Sequence, residues 1–222
     1  MTRLALFDLD HTLLTGDSDV LWCEFLMDHG VLDRAEFQPR NDDMARRYRE
    51  GSVSAEDFCD FYVATLAGRT LDEWRPWCER FLTEIVAPQI PASARELVES
   101  HRARGDRVVM TTATNRVLTE LTAQHLHIDD LLATEVEIVD GRCTGRTTGV
   151  LNMREGKVAR LLEWLEQHAL AHTMLADATF YSDSANDLPL LGAVGTPVAV
   201  DPDPLLRAHA AAAGWAMIEL AR

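Results

Sequence analysis

Residues 4–13 read Leu-Ala-Leu-Phe-Asp-Leu-Asp-His-Thr-Leu, a short apolar run that two acidic residues interrupt. The run predicts a buried β-strand over residues 4–9, with Asp8 near its carboxyl end. Ligands of open parallel sheets bind beyond this end of the strands. Asp8 and Asp10 are two positions apart, so their side chains point in roughly the same direction along a strand. Two carboxylates this close together repel each other and need a cation or a proton between them.

The pattern of apolar residues changes twice after this run. Across residues 19–88 apolar side chains recur at helical spacing, and no stretch there predicts a strand. Past Pro91, short apolar runs alternate with amphipathic helices, and Asp140-Gly141 marks a hairpin turn between two strands. Strands that alternate with helices indicate an α/β fold with a parallel sheet.

We therefore predict a Rossmann-like core made of residues 1–15 and 90–222, in which helices cover both faces of a parallel sheet. Residues 16–89 interrupt the alternation directly after the first strand. We interpret them as an inserted helical-bundle cap. The alternative is a separate N-terminal helical domain, which would leave the first strand outside it.

The composition excludes several classes of protein. Of 222 residues, 47% are hydrophobic and 26% are charged, which excludes wholesale disorder. The net charge of −15 argues against nonspecific binding to nucleic acid or to an anionic membrane surface. No apolar run approaches the roughly 18 residues of a membrane span, and the N-terminal run is too short for a secretory signal. The four cysteines lack metal-finger spacing, which favours buried free thiols in a reducing cytoplasm.

A second polar stretch follows another predicted strand. Residues 108–115 read Val-Val-Met-Thr-Thr-Ala-Thr-Asn, so a buried strand ends in hydroxyl groups just before a helix. Hydroxyls and free backbone N–H groups at such a position can hold phosphate oxygens. Ordinary helix capping by Thr114 or Asn115 is the alternative interpretation.

Two further stretches carry charged residues at helix starts. Glu155-Gly156-Lys157 opens an amphipathic helix, but the surrounding residues do not match a Walker phosphate-binding loop. Residues 180–189 read Phe-Tyr-Ser-Asp-Ser-Ala-Asn-Asp-Leu-Pro, which predicts a strand with Asp183 at its carboxyl end. Asp187 then begins the next helix, where a plain N-cap is the alternative role.

A single sheet would bring these strand ends into one crevice. Four acidic side chains would meet there, namely Asp8, Asp10, Asp183 and Asp187. Lys157 would be the only positively charged side chain among them. Such a cluster requires a divalent cation, and ligands that are all oxygen favour Mg²⁺ over zinc or copper. A metal, a lysine and hydroxyls around a free carboxylate indicate phosphoryl transfer.

The order of these motifs closely resembles the haloacid dehalogenase superfamily over nearly the whole chain. The motifs that carry the resemblance are D-L-D-H-T-L, a strand that ends in threonine, G-K, and S-D-S-A-N-D-L. More narrowly, the chain is similar to the phosphoserine-phosphatase-like branch (subfamily IB), whose helical cap follows the first strand. The resemblance implies a Mg²⁺-dependent phosphatase that hydrolyses a small-molecule phosphate monoester through an aspartyl-phosphate intermediate.

The resemblance also implies catalytic and metal-binding roles. Asp8 would be the nucleophile, and Asp10 would act as general acid and then general base. Mg²⁺ would be held by Asp8, Asp183 and the backbone carbonyl of Asp10, while Asp187 would orient these groups. Lys157 would pair with the nucleophile and neutralise the transferring group.

Substrate contacts follow from the same resemblance. Thr112, with Thr111 as the register alternative, would bind a phosphoryl oxygen, and Asn186 would contact phosphate or water. Asp17 falls where phosphoserine phosphatases have an acid that faces the substrate amine. The arginine that binds the substrate carboxylate in those enzymes has no counterpart, because the aligned residues 60–62 read Asp-Phe-Tyr.

Several alternatives remain open at this point. Candidate substrates are histidinol phosphate, phosphoserine and related amino-alcohol phosphates. A phosphotransferase would use the same intermediate if an acceptor alcohol replaced water. A receiver-type domain also combines clustered aspartates with a threonine and a lysine, but the helical insert and the position of Asp10 disfavour it. We expect His11 in the first turn, at the interface with the cap.

Overall fold

The computed structural model describes residues 3–221 of the chain. The strands are β1 (Leu4–Phe7), β2 (Arg107–Asn115), β3 (Asp130–Val139), β4 (Arg142–Thr148), β5 (Thr179–Ser182), β6 (Thr196–Val200) and β7 (Ala216–Ile218). The α-helices are α1 (Ser18–Asp28), α2 (Arg34–Arg49), α3 (Ala55–Val63), α4 (Leu71–Phe81), α5 (Ala92–Ala103), α6 (Arg116–His125), α7 (Glu155–Gln167), α8 (Leu188–Leu191) and α9 (Pro204–Ala213).

The seven strands form one sheet in the order β4-β3-β2-β1-β5-β6-β7. Neighbouring strands are parallel, except that β3 and β4 form an antiparallel hairpin. Both residues of the Asp140-Gly141 turn have positive φ, 50° and 76°, as a two-residue hairpin turn requires. The sequence prediction of an α/β fold with a mainly parallel sheet is therefore confirmed.

Strand β1 lies in the centre of the sheet, between β2 and β5, and all four of its residues are buried. Its alternate side chains enter two separate cores, as the period of a strand dictates. Phe7 packs in the core under α5 and α6, whereas Leu6 packs in the core under α7, α8 and α9. Helices thus cover both faces of the sheet.

Two predicted strand ends differ from the structure. The chain leaves β1 after Phe7, two residues earlier than expected, because a tight turn forms on the carbonyl of Leu9 and accepts the N–H groups of residues 12–14. The apolar run of residues 107–112 predicts a second strand that ends at Thr112, but in the structure this strand continues to Asn115. Both differences lie at the edge of the sheet where the candidate site forms.

Helices α1 to α4 lie between β1 and β2 in the chain. They pack through aromatic rings, such as Trp22 against Trp74 and Phe81 at 5.6 and 5.2 Å between centroids. Asp60 of α3 accepts hydrogen bonds from the backbone N–H and hydroxyl of Thr147 in β4. The division into a core and a cap of residues 16–89 stays a prediction, and residues 1, 2 and 222 of the expected core lie outside the described residues.

All four cysteines are buried and unbridged, as expected. No helix within residues 3–221 is both long and apolar enough to cross a bilayer.

Candidate active site

The turn after β1 brings Asp8 close to Asp183 at the end of β5. The Thr12 hydroxyl lies 3.2 Å from Asp8 Oδ2 and 3.2 Å from Asp183 Oδ1. The backbone N–H of Asp183 donates to the same hydroxyl oxygen at 3.0 Å. Two carboxylates from neighbouring strands therefore converge on one hydroxyl group.

Helix α7 begins at this cluster and buries Lys157 against two carboxylates. Its Nζ donates to Asp8 Oδ1 and to Asp187 Oδ2, each at 2.7 Å, and the side chain is 3% exposed. The helix start requires Gly156, because a Cβ there would lie 2.0 Å from the Leu151 carbonyl oxygen. The Gly-Lys pair thus places a buried cation where the sequence alone would allow a surface charge.

Burial dominates the electrostatics of this cluster. It raises the pKa of Asp8 to about 7, although Lys157 acts in the opposite direction. Burial and the Asp8 carboxylate also raise the pKa of Asp183 well above its ordinary value. Burial alone would lower the pKa of Lys157, but Asp187 and Asp8 outweigh it and raise that pKa, so the ammonium stays charged. One ammonium among three carboxylates leaves negative charge that favours a further cation.

The donor atoms here fit a hard divalent cation. Asp8 and Asp183 contribute carboxylate oxygens, the ligands that Mg²⁺ prefers. Within residues 3–221 no three side chains of His, Cys, Asp or Glu are arranged as ligands of one metal ion. A cation here would therefore have two carboxylate ligands, and backbone oxygen or water would complete its coordination.

Asp10 is held in place by α1 and by the end of β2. Its Oδ1 accepts the backbone N–H of Ser18 at 2.7 Å. Its Oδ2 lies 3.0 Å from the hydroxyl of Thr114 and 3.4 Å from that of Thr112. The carboxylate is thus fixed in orientation close to Asp8, whose pKa it helps to raise.

Thr111 and Thr112, the two candidates for the phosphoryl-binding hydroxyl, have different partners. Thr112 faces Asp10, whereas the Thr111 hydroxyl accepts a hydrogen bond at 2.9 Å from Asn152. The same Asn152 Nδ2 lies 2.9 Å from the carbonyl oxygens of Thr112 and Leu132, so its two hydrogens are shared among three acceptors. Asn152 is fully buried and joins the neighbouring strands β2 and β3.

The remaining predicted residues lie around the cavity that Asp8, Asp10 and Asp183 also line. Asp17 lines it and also caps α1, because its Oδ1 accepts the N–H groups of Asp19 and Val20 at 3.0 Å. Asn186 lines it with its Oδ1 bound at 3.1 Å to Arg154.

The wall of this cavity also includes residues from the inserted helices. Tyr48 of α2 and Phe58 of α3 stack at 4.1 Å between ring centroids and both line it. The exposed His11 lines the same cavity, as do Asp17 and Asp183. Thr112 is fully buried and does not line the cavity.

The sequence alone did not single out four side chains that shape the site. They are Thr12, Asp19, Thr114 and Asn152. Thr114 suggested a helix cap, but Asn115 caps α6, since its Oδ1 accepts the N–H of Leu118 at 3.3 Å. The signal for Thr12 is its place two residues after Asp10 in the first motif, whereas Asn152 belongs to no motif and could not have been found locally.

The family model described as haloacid dehalogenase-like hydrolase matches residues 5–192. This range includes Asp8 and extends past Asp187, so it contains the whole cluster. The chain therefore belongs to the haloacid dehalogenase-like hydrolase family. The predicted superfamily is confirmed, and so is the prediction that the protein is an enzyme.

Similar proteins and structures agree with the phosphoserine-phosphatase-like branch. The chain is 36% identical over 219 residues to a histidinol-phosphatase from Neisseria meningitidis serogroup C (strain 8013), with 98% of this chain and 99% of that protein covered. It is 32% identical over 225 residues to phosphoserine phosphatase SerB1 from Mycobacterium tuberculosis (strain ATCC 25618 / H37Rv), which covers 97% of this chain and 70% of that protein.

Solved structures share the fold. A crystal structure of a protein with unknown function from Bordetella pertussis Tohama I has a TM-score of 0.91 at 43% identity, and covers 98% of this chain and 99% of that one. A substrate-bound phosphoserine phosphatase complex has a TM-score of 0.71 at 18% identity over 100% of this chain and 94% of that one. The second likeness supports the fold alone.

Proposed function

We propose that this protein is a Mg²⁺-dependent phosphatase that hydrolyses the phosphate monoester of a small metabolite through an aspartyl-phosphate on Asp8. One observation carries the proposal: Asp8 contacts the buried Lys157 through one oxygen, while its other oxygen lies at the hydroxyl shared with Asp183. Membership of a hydrolase family, with relatives named as phosphatases, supports it.

Asp8 is the nucleophile in this proposal. One of its carboxylate oxygens attacks phosphorus, the bond from phosphorus to the leaving alkoxide breaks, and an aspartyl-phosphate forms. Lys157 neutralises part of the charge on the transferring group, since its Nζ already lies 2.7 Å from Asp8. Asp187 keeps this lysine in place by accepting its second hydrogen bond.

Asp10 moves the protons. It donates one to the leaving alkoxide, and then accepts one from the water that attacks phosphorus and releases Asp8. Its hydrogen bonds to Ser18 and Thr114 hold the carboxylate in a fixed orientation for both steps. We assign the phosphoryl-binding hydroxyl to Thr112 rather than Thr111, because the Thr112 hydroxyl lies 3.4 Å from Asp10, which lines the cavity, whereas Asn152 engages the Thr111 hydroxyl.

Asp8, Asp183 and the backbone carbonyl of Asp10 would hold Mg²⁺. The ion supplies positive charge that lets a carboxylate approach an anionic phosphate. Asn186, already oriented by Arg154, would contact phosphate or water.

Helices α1 to α4 would act as the cap over the cavity, since α2 and α3 contribute Tyr48 and Phe58 to its wall. A cap of this kind excludes water and large substrates. Within this enclosure we place a small metabolite such as histidinol phosphate or a phosphoserine-like ester, the substrates that the names of the relatives indicate. The buried free cysteines fit a reducing compartment such as the cytoplasm.

The test is phosphate release from a panel of phosphate monoesters, with and without Mg²⁺. We expect turnover that requires Mg²⁺ and disappears in Asp8→Asn. Turnover of no ester in the panel, p-nitrophenyl phosphate included, would contradict the proposal and would favour a receiver-type role. Adding an acceptor alcohol separates hydrolysis from phosphotransfer, because a phosphotransferase would form the new ester at the expense of free phosphate.

A further inference from the structure

Arg154 has a backbone conformation that arginine rarely adopts. Its φ of 52° and ψ of −125° are close to those of the second residue of a type II′ turn. The backbone N–H of Gly156 closes the turn by donating to the Met153 carbonyl at 2.9 Å. Glycine is the usual residue at the second position, because a side chain is strained there. Strained residues cluster at functional sites, which directs attention to what the arginine side chain does.

The side chain of Arg154 reaches the candidate site through Asn186. Its Nε donates to Asn186 Oδ1 at 3.1 Å, and Arg154 itself is not part of the described lining of the cavity. The backbone carbonyl of Arg154 accepts the N–H of Lys157 at 3.1 Å, where α7 begins. Arg154 therefore contacts two residues that line the cavity, Asn186 with its side chain and Lys157 with its backbone.

The arginine determines which atom of the Asn186 carboxamide faces it. A guanidinium carries donors only, so its partner must be the carboxamide oxygen. The Nδ2 group of Asn186 then keeps both of its hydrogens for another partner, and within residues 3–221 it has none. Because Asn186 lines the cavity, this donor is available to an anionic ligand. A carboxamide turned the other way would present its oxygen to that anion instead.

We propose that Arg154 is a positioning residue that orients the Asn186 carboxamide so that Nδ2 donates to a phosphoryl oxygen of the substrate. Arg154 acts through Asn186 and does not touch the phosphate. This inference rests on the proposed function, in which Asn186 contacts phosphate or water. It selects phosphate as the partner and adds the residue that prepares the contact.

The expected size of the effect follows from the order that Arg154 imposes. Without its partner, the Asn186 side chain would have to be immobilised when phosphate binds, and ordering one side chain weakens binding about 3- to 10-fold. Removal of the carboxamide itself loses a hydrogen bond to a charged group, which weakens binding about 10- to 100-fold. Loss of Arg154 should therefore cost less than loss of Asn186.

Inorganic phosphate is the probe, measured as an inhibitor of p-nitrophenyl phosphate hydrolysis in the presence of Mg²⁺. We expect Arg154→Met to raise the inhibition constant of phosphate about 3- to 10-fold. Arg146→Met is the matched control, because it removes the same charge at an exposed position outside the lining. Its inhibition constant should stay at the wild-type value. A wild-type inhibition constant in Arg154→Met would overturn the inference.

A double-mutant cycle distinguishes action through Asn186 from direct contact with phosphate. Asn186→Ala should raise the inhibition constant about 10- to 100-fold. Adding Arg154→Met to this variant should change the constant by less than about twofold, because the side chain that Arg154 positions is gone. Factors that multiply in the double variant would show that Arg154 acts on phosphate without Asn186, and would overturn the inference. So would a wild-type constant in Asn186→Ala.

Arg154→Gly decides the question even if Arg154→Met does not fold. Glycine adopts the turn conformation without strain, so we expect this variant to fold. It lacks the guanidinium, and its inhibition constant should rise as in Arg154→Met. A wild-type constant in Arg154→Gly would overturn the inference while leaving the proposed function intact. Failure of the wild-type protein to hydrolyse any ester, p-nitrophenyl phosphate included, would overturn the proposed function and the inference with it.

Discussion

The Lys157 ammonium and the Asp8 carboxylate, 149 positions apart in the chain, lie 2.7 Å from each other in the buried centre of the site. Lys157 also contacts Asp187, so two buried carboxylates share one ammonium. The Asp8 oxygen that Lys157 does not contact is 3.2 Å from the Thr12 hydroxyl, beside Asp183. In the proposed function, this arrangement would prepare Asp8 to react with an anionic phosphate once a further cation is bound.

The first prediction concerns the nucleophile. Asp8→Asn should lower kcat by at least about a thousandfold, because an amide cannot form the aspartyl-phosphate. The fold should persist, since Lys157 keeps its hydrogen bond to Asp187. Steady-state kinetics and circular dichroism check the two parts. Activity within about tenfold of wild type would refute the role of Asp8.

The second prediction concerns the metal. Asp183→Asn removes one of the two carboxylates that would bind Mg²⁺, so half-maximal activity should require about 10- to 100-fold more Mg²⁺. Activity measured across a Mg²⁺ titration checks this. The control is Asp177→Asn at an exposed position, which should leave the Mg²⁺ concentration for half-maximal activity unchanged. An unchanged titration in Asp183→Asn would remove Asp183 from the metal ligands.

The third prediction concerns the buried ammonium. Lys157→Met should lower the free energy of unfolding by about 3–5 kcal/mol without Mg²⁺, because it leaves two buried carboxylates without their cation. Adding Asp187→Asn to this variant should restore part of the loss, since one of the two charges is then gone. Urea unfolding of the three proteins measures both effects. A double variant less stable than Lys157→Met would contradict this explanation.

The fourth prediction concerns Asn152. Asn152→Ala should destabilise the protein by about 3 kcal/mol, because it leaves Thr111, Thr112 and Leu132 without a buried donor. The kcat should also fall, since the end of β2 then loses its fixed position. Thr144→Ala removes a hydrogen bond to Glu137 in the hairpin and should cost about 1 kcal/mol or less. Equal losses in the two variants would contradict a special role for Asn152.

The fifth prediction concerns pH. Burial lowers the pKa of His101 from 6.5, so below pH 6.5 the unfolded chain binds a proton here that the folded chain does not. The contribution of His101 to the free energy of unfolding should therefore fall as the pH drops below this value, whereas the contribution of Asp8, whose pKa is raised to about 7, changes in the opposite direction. Burial raises the pKa of Asp106, but the hydrogen bond from His101 and the nearby charges outweigh it and lower that pKa below 3.8. The stabilisation that Asp106 provides is therefore fully present above pH 3.8 and is lost only at lower pH.

Urea unfolding at about pH 7.5 and about pH 5.5 measures this dependence. The free energy of unfolding at about pH 7.5 minus that at about pH 5.5 should be smaller in His101→Gln than in wild type. His172→Gln, at an exposed histidine, should keep the wild-type difference. A His101→Gln variant with the full wild-type dependence would show that another group is responsible.

Local patterns in the sequence predicted the parts of the molecule that short-range physics determines. The apolar run before Asp8 indicated a buried strand, and Asp140-Gly141 indicated a hairpin, because few residues adopt positive φ. The strand alternation then predicted the sheet that carries the site.

Other features depend on contacts between distant parts of the chain. Thr12 and Asp183 are 171 positions apart, and Asp19 and Thr114 are 95 apart. Asn152 bonds to three acceptors on two strands, which no local pattern could indicate. These side chains became recognisable only when the strands were placed in register.

The central claim is that Asp8 carries the phosphoryl group during turnover. Its most direct test is to mix Asp10→Asn with an ester and Mg²⁺, quench in acid, and locate covalent phosphate by peptide mass spectrometry. We predict one phosphoryl group on Asp8, which accumulates because the base for hydrolysis is missing. Phosphate bound to a different residue, or turnover that persists when Asp8 is replaced by Asn, would contradict the account.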